Sequence, residues 1–295
     1  MLRDDVSITG SVAARLRNIS GQYGFEPQEF VDYVIGVLNG TEANVSRTEE
    51  LLPLAAKLEI AKTVVRSALS TFPNPLLLFS GSKESTLTLY LVRAISEELG
   101  KKVPPVLFVD HFTHYAATFD FVNKIAREWN LDLRIAKQEN FGHKKYGEAI
   151  HVEDLPAEQK DQLKRIGFTG FEFPFSLDNI AASYLLSLLV IDDYVQKGKF
   201  DGIFVSDDSL ILDRTARSFW STSGKWKRIA PLLILNSKDV WSYTKENNIP
   251  AHPLYVKGDE KIFNRYEKPK HEKREEVEDV EFAGVVENLK RLGYA

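Results

Sequence analysis

The fold of this chain is decided by the stretch Leu76-Leu-Leu-Phe-Ser-Gly-Ser-Lys-Glu-Ser-Thr86. Its first four residues are an apolar run typical of a buried strand, and Thr86 opens a helical pattern that continues to about Leu99. A strand, a turn of small residues and a helix bring backbone N–H groups and the positive end of the helix dipole together. The turn therefore predicts a phosphate-sized anion site, to which Lys83 adds a full charge and the serines add hydroxyl donors.

Two other interpretations of this turn are considered. Its spacing differs from the Gly-x-x-x-x-Gly-Lys-Ser/Thr pattern, so it is not a Walker A loop. It is also consistent with an ordinary tight turn, whose small residues only permit the path of the backbone. As a charged loop residue at a strand end, Lys83 is expected to contribute little to the hydrophobic core.

The rest of the chain favours the binding site, because apolar runs alternate with amphipathic helices. This pattern predicts an α/β fold with a parallel, doubly wound sheet flanked by helices. Ligands of such sheets bind beyond the carboxyl ends of the strands, where Ser80, Asp110 and Ser206 fall. Strands are predicted at 76–79, 106–110, 131–136 and 202–206, with 228–235 as a candidate fifth, and helices at 51–71, 85–99, 118–130, 178–197, 238–247 and 282–292.

Three segments follow from these patterns. Residues 1–50 predict a helical N-terminal extension, which we interpret as a packing or dimerisation element. Residues 51–256 hold the alternating strands and helices. Residues 257–295 combine a highly charged stretch with a C-terminal amphipathic helix.

Composition narrows the classes of function. The chain has 295 residues and a formal net charge of −4, so no general basic field favours nucleic-acid binding. No apolar run reaches membrane-spanning length and the N-terminus lacks the apolar core of a signal peptide, so we expect a cytoplasmic protein without a membrane partner. The sequence contains no cysteine, which excludes thiolate nucleophiles, iron–sulfur clusters and Cys-ligated zinc within it.

Several motifs together resemble a known family. Ser80-Gly-Ser-Lys-Glu-Ser-Thr86 resembles the pyrophosphate loop of the ATP pyrophosphatase (PP-loop) superfamily, and Phe108-Val-Asp110 resembles the second motif of its phosphoadenylyl-sulfate (PAPS) reductase branch. Asp213-Arg-Thr-Ala-Arg217 is similar to that branch's arginine segment. Arg228-Ile-Ala-Pro-Leu-Leu, together with the stretch from Asn248 to Tyr255, is similar to its C-terminal signature.

The resemblance implies a Rossmann-like fold of the adenine nucleotide alpha hydrolase type, with a PP-loop domain at 51–256. It implies ATP or a related adenine nucleotide as ligand, Mg²⁺ as cofactor, and adenylyl transfer to sulfate or another small anionic acceptor. Lys83, Arg214 and Arg217 would be the catalytic residues, with Asp207 and Asp208 as candidate Mg²⁺ ligands. The nucleotide and its phosphates would be held by Ser80, Gly81, Ser82, Glu84, Ser85, Thr86 and Asp110.

The sequence also departs from the family pattern. Ser82 replaces the loop's second glycine. A glycine there often permits a positive φ or a close approach of the ligand, and serine allows either only at a cost. Glu84 replaces an aspartate, the carboxylate of the second motif is missing, and Asp207-Asp208 stands where Gly-x-Arg is usual. PAPS reductase chemistry needs a nucleophilic cysteine, so we reject a thiol-dependent reductase.

Alternative functions remain open on the sequence alone. The altered loop is also consistent with a non-catalytic nucleotide-binding or regulatory protein. An FMN adenylyltransferase-like activity and a tRNA-modifying ATP pyrophosphatase are further alternatives, the latter disfavoured by the weak basic character. Asp110, His111 and His114 suggest a metal site, although loop histidines are more often only hydrogen-bonded. A homo-oligomer or a partner subunit is compatible with all of these.

Overall fold

A computed structural model of the protein describes residues 52–206, 219, 226–256 and 280–294. Within these residues, five strands form one parallel sheet in the order β3-β2-β1-β6-β7, and two more form a separate antiparallel pair. The strands are β1 (Pro75–Leu78), β2 (Val106–Val109), β3 (Leu133–Ala136), β4 (Ala149–His151), β5 (Glu172–Pro174), β6 (Gly202–Phe204) and β7 (Arg228–Ile229).

The central strand β1 is apolar throughout because both faces of the sheet are covered. Leu77 pairs in register with Val106 of β2 and with Phe204 of β6. Leu76 and Leu77 have no exposed surface, yet they belong to two different hydrophobic clusters on opposite sides of the sheet. Alternate side chains of a strand point to opposite faces, so one short strand contributes to both cores.

Helices cover both faces and give three layers. The helices α1, α2, α3 and α7 contribute to the core on one side, and α4, the α5–α6 segment and α9 to the core on the other. The helices are α1 (Leu54–Thr71), α2 (Lys83–Glu98), α3 (Ala116–Glu128), α4 (Ala157–Arg165), α5 (Ile180–Ser183), α6 (Leu189–Gly198), α7 (Ser237–Glu246), α8 (Pro253–Val256) and α9 (Val280–Arg291).

The predicted α/β class with a parallel, Rossmann-like sheet is confirmed, and local differences have physical causes. The candidate fifth strand at 228–235 is only two residues long, because Pro231 has no N–H to continue the ladder and the chain turns. The predicted helix at 178–197 contains one π turn, Tyr184–Leu188, between α5 and α6. The pair β4–β5, in a region that reads as irregular, was not predicted.

Other predictions fall outside the described residues. The predicted extension at 1–50 and the charged stretch at 257–279 are among them. In the parts of the chain that the structure does describe, no helix is both long and apolar enough to cross a membrane.

The buried carboxylate of Asp192 connects Tyr294 to the hydrophobic core that contains α4, the α5–α6 segment and α9. Asp192 on α6 has only 3% of its surface exposed. It accepts hydrogen bonds from the indole N–H of Trp226 and the phenol of Tyr294, each at 3.0 Å, and from the side chain of Gln196 at 2.8 Å. Burial raises the pKa of the Tyr294 phenol, which keeps it a neutral donor.

Replacing this carboxylate is expected to destabilise the protein. In Asp192→Ala, the buried donors of Trp226 and Tyr294 lose this acceptor, so the free energy of unfolding should fall by about 1–3 kcal/mol. The neighbouring Asp193→Ala is the matched control, since Asp193 is partly exposed and pairs with Lys197 at 3.3 Å, and it should cost less than about 0.5 kcal/mol. Equal destabilisation in urea titrations of the two variants would contradict this role.

Candidate functional site

The chain leaves the carboxyl end of β1 through a tight turn at Ser80 and Gly81, and α2 begins at Lys83. Gly81 has a φ of +82°, in the left-handed region that residues with a Cβ adopt only at a cost. A Cβ on this glycine would lie 3.4–3.6 Å from side chains of α3, namely Val122, Phe121 and Thr118. These distances are ordinary van der Waals contacts, so the positive φ, and not the packing against α3, is what favours glycine here.

Ser82 caps the N-terminus of α2. Its backbone is extended, with φ −65° and ψ 161°, and its hydroxyl accepts the backbone N–H of Ser85 at 3.1 Å. Serine is among the preferred N-cap residues because its oxygen satisfies a helix amide that has no intrahelical partner. Ser82 has no positive φ here, so the cost that a serine would bear for such a φ does not arise at this position.

Three hydroxyls of the turn form one cluster. The Oγ atom of Ser80 lies 3.2 Å from those of Ser82 and Ser85, which are 3.1 Å from each other. Ser80 is exposed, whereas Ser85 and Thr86 are buried and donate to the carbonyl of Ser82 at 3.0 and 2.7 Å. Ser80 and Ser82 thus form the accessible side of the predicted anion site, and Ser85 and Thr86 support it from below.

Lys83 differs from its sequence expectation. It lies in the first turn of α2, three residues before the predicted helix start at Thr86, and only 4% of its side chain is exposed. Its ammonium lies 2.7 Å from a carboxylate oxygen of Glu84 and 5.4 Å from the ring centroid of Tyr255. Lys83 is therefore buried although it belongs to neither hydrophobic cluster, and its small contribution to the hydrophobic core stays a prediction.

A segment far along the sequence contacts the start of α2. The phenol oxygen of Tyr255 in α8 accepts the backbone N–H of Lys83 at 2.9 Å. Nearby, Nδ1 of His252 accepts the N–H of Leu254 at 3.1 Å, so its Nε2 carries the proton and donates to the hydroxyl of Thr118 at 3.1 Å. In the sequence this segment is recognisable only as part of a family signature, and no role at the site was predicted for it.

Asp110 lies at the end of β2, the parallel neighbour of β1, and so at the same edge of the sheet as Ser80. Its N–H continues the ladder to the carbonyl of Ala136 at 2.8 Å. Its carboxylate accepts the N–H of Phe112 at 2.8 Å, and Phe112 has a φ of +63°. The carboxylate thus stabilises an Asx turn with an unusual backbone conformation at this edge.

The rings of the two loop histidines after β2 are in contact, with centroids 3.7 Å apart and planes tilted by 34°. Nδ1 of His111 is 2.6 Å from the hydroxyl of Thr113, and Nε2 of His114 donates to the carbonyl of Val109 at 2.9 Å. Burial lowers the pKa of both, so both are neutral near pH 7. Within residues 52–206, 226–256 and 280–294, no group of three or more histidines and carboxylates is arranged to hold a metal ion.

The structure therefore brings together the predicted residues of the turn and places Asp110 at the same sheet edge. The other predicted residues, Arg214, Arg217, Asp207 and Asp208, lie outside the described residues. The turn fits a phosphate group, because it combines the N-terminus of a 16-residue helix, a cluster of hydroxyls and one ammonium. Glu84 pairs with this ammonium, so the pair adds no net charge to the site.

A family model matches most of the chain. Residues 74–167 and 191–291, more than half of the chain, match the model described as "Phosphoadenosine phosphosulfate reductase domain". The first matched range contains β1, the turn and Asp110, and the second contains the segment of His252 and Tyr255.

Two relatives have partial sequence similarity. A protein named sulfate adenylyltransferase subunit 2, from Rhizobium tropici, is 22% identical over 228 residues, which is 68% of this chain and 67% of that protein. An uncharacterized protein of Methanocaldococcus jannaschii is 26% identical over 62% of this chain and 39% of its own length.

A solved structure supports the fold. Phosphoadenylyl-sulfate reductase from Candida auris, in a phosphate complex, superposes with a TM-score of 0.50 and 16% identity, covering 78% of this chain and 98% of that one.

The buried His252 predicts a pH dependence of stability. It has no exposed surface, and burial lowers its pKa to about 4, below the ordinary value of 6.5. The unfolded chain therefore binds a proton first, so this contribution to stability is complete above about pH 6.5 and is lost as the pH falls towards 4, by about 1–3 kcal/mol.

We expect His252→Gln to reduce the slope of unfolding free energy against pH across this window, measured by urea titration at several pH values. His111 and His114 act in the same direction, so part of the slope remains. The matched control is His151→Gln, because His151 is exposed and pairs with Glu172. An unchanged slope in His252→Gln would contradict the assignment.

Proposed function

Because the chain belongs to the phosphoadenosine phosphosulfate reductase domain family, we propose that it binds ATP and transfers the adenylyl group to a small anionic acceptor. The observation that carries the proposal is the turn between β1 and α2, with its helix N-terminus, clustered hydroxyls and Lys83. The name of the rhizobial relative, sulfate adenylyltransferase subunit 2, favours sulfate as the acceptor and a partner subunit as a further component.

The proposed step balances without a thiol. An oxygen of the acceptor forms a bond to the α-phosphorus of ATP, the bond between that phosphorus and the bridging α–β oxygen breaks, and pyrophosphate leaves. Negative charge grows on the departing pyrophosphate, and oriented N–H groups, hydroxyls and an ammonium stabilise it. Mg²⁺ bound to the phosphates would neutralise part of the same charge.

Several residues have a proposed part in this step. The hydroxyls of Ser80 and Ser82 and the positive end of the α2 dipole would hold the pyrophosphate, and the ammonium of Lys83 would contribute its charge. Asp110 would lie near the adenosine. Arg214 and Arg217 would orient the acceptor, since a guanidinium suits sulfate and phosphate, and Asp207 and Asp208 would contribute to Mg²⁺ binding.

A second function is favoured by one observation. The ammonium of Lys83 already lies 2.7 Å from the carboxylate of Glu84, which reduces the charge available to a phosphate. This pairing is consistent with a nucleotide-binding protein that does not turn over.

Pyrophosphate release distinguishes the two functions. The full chain is incubated with ATP and Mg²⁺, with sulfate, with FMN or without acceptor, and inorganic pyrophosphatase is included to draw the reaction forward. Acceptor-dependent release supports adenylyl transfer and identifies the class of acceptor. ATP binding without release under any of these conditions supports the non-catalytic function.

Lys83→Met tests the role of the lysine. Methionine keeps most of the buried aliphatic chain and removes the charge, so we expect ATP binding about 10- to 100-fold weaker by calorimetry, the loss of one charge-assisted interaction. The control Lys164→Met removes an exposed lysine whose side-chain surface is 76% accessible, far along the chain in α4, and should leave the affinity unchanged. Equal affinity of Lys83→Met and the parent chain would contradict the assignment.

A further inference from the structure

Tyr255 contacts Lys83 at two points. Its phenol oxygen accepts the backbone N–H of Lys83 at 2.9 Å, and the ammonium of the same lysine lies 5.4 Å from the centre of its ring. The residues are 172 positions apart in the sequence. One side chain thus contacts both the backbone and the charged end of the lysine assigned to the phosphate site.

The hydrogen bond fixes the start of α2. Lys83 is the first residue of this helix, and the first amides of a helix have no partner within it. With the Ser82 cap on the amide of Ser85, the phenol of Tyr255 gives the first turn a second external anchor. The direction in which Lys83 leaves the backbone is thereby set.

The ring restricts the other end of the lysine. An ammonium near the face of an aromatic ring is attracted to it, the more so when water is excluded. Here the side chain of Lys83 is 4% exposed, and a carboxylate oxygen of Glu84 lies 2.7 Å from the ammonium nitrogen. The ring and the carboxylate together restrict the positions that the ammonium can take.

Tyr255 is itself held in place. Its ring packs edge-on against Trp241 of α7, with centroids 5.1 Å apart and planes at 89°. The helix α7 begins with a capping box at Asn236, and its Asp239 pairs with the buried Lys57 of α1 at 2.6 Å. A continuous set of contacts thus connects a core helix with the turn.

We propose that Tyr255 is a positioning residue, which acts through Lys83 to place its ammonium for the phosphates of the bound nucleotide. This inference rests on the proposed function and adds to it a residue that is distant from the turn in the sequence. A residue that only packs would not need a hydroxyl on the first amide of α2, so the hydroxyl is the group to test.

The test is a double-mutant cycle read by calorimetry of ATP and of inorganic pyrophosphate on the full chain. Tyr255→Phe keeps the ring and removes the hydroxyl, and Lys83→Met removes the charge to be positioned. We expect Tyr255→Phe to weaken binding about 3- to 10-fold in the parent chain and less than about 2-fold in the Lys83→Met background.

Tyr243→Phe is the matched control. Tyr243 lies on α7 and packs edge-on against Tyr90, away from the turn, and its substitution should leave the affinity unchanged. Thermal unfolding of each variant confirms that all of them fold.

The outcomes separate this inference from the proposed function. An equal loss of affinity in the two backgrounds, or no loss in the parent chain, overturns the role of Tyr255 while ATP binding stands. Failure of the parent chain to bind either ATP or pyrophosphate overturns the proposed function, and the role of Tyr255 with it.

Discussion

The left-handed turn at Gly81 is the constraint on which the rest of the site depends. It reverses the chain at the end of the central strand and starts α2 at once, so that the N-terminus of the helix lies at the carboxyl edge of the sheet. Thr118, Phe121 and Val122 of α3 lie within ordinary van der Waals distance of the position that a Cβ would take on this glycine. A longer turn would move the helix dipole away from this edge, where ligands of parallel sheets bind.

The charge at this turn is placed by parts of the chain that lie far apart. Lys83 comes from the first turn of α2, its counter-ion Glu84 follows it directly, and Tyr255 reaches it from α8. His252 connects the same segment to α3 through Thr118. The site therefore lies where α2, α3 and α8 pack together. This packing covers Lys83, although the lysine belongs to the helix that begins at the carboxyl edge of the sheet.

The strands and the turn after β1 were predictable from the sequence, because they depend on the burial and size of neighbouring residues. The central strands are short apolar runs because both faces are buried, and the small residues after Leu78 indicate a turn at a strand end. The start of α2 was missed by three residues because capping by Ser82 extends the helix into the apparent loop. The burial of Lys83 and its contact with Tyr255 were also missed, since a contact across 172 residues leaves no local pattern. The predicted arginines and carboxylates lie at 207–218, outside the described residues, and their roles stay predictions.

A crystal structure of the full chain with a non-hydrolysable ATP analogue and Mg²⁺ tests the central claim most directly. We expect the β- and γ-phosphates at the N-terminus of α2, within hydrogen-bond distance of the hydroxyls of Ser80 and Ser82 and in reach of the Lys83 ammonium. A nucleotide bound elsewhere with this turn unoccupied would contradict the account.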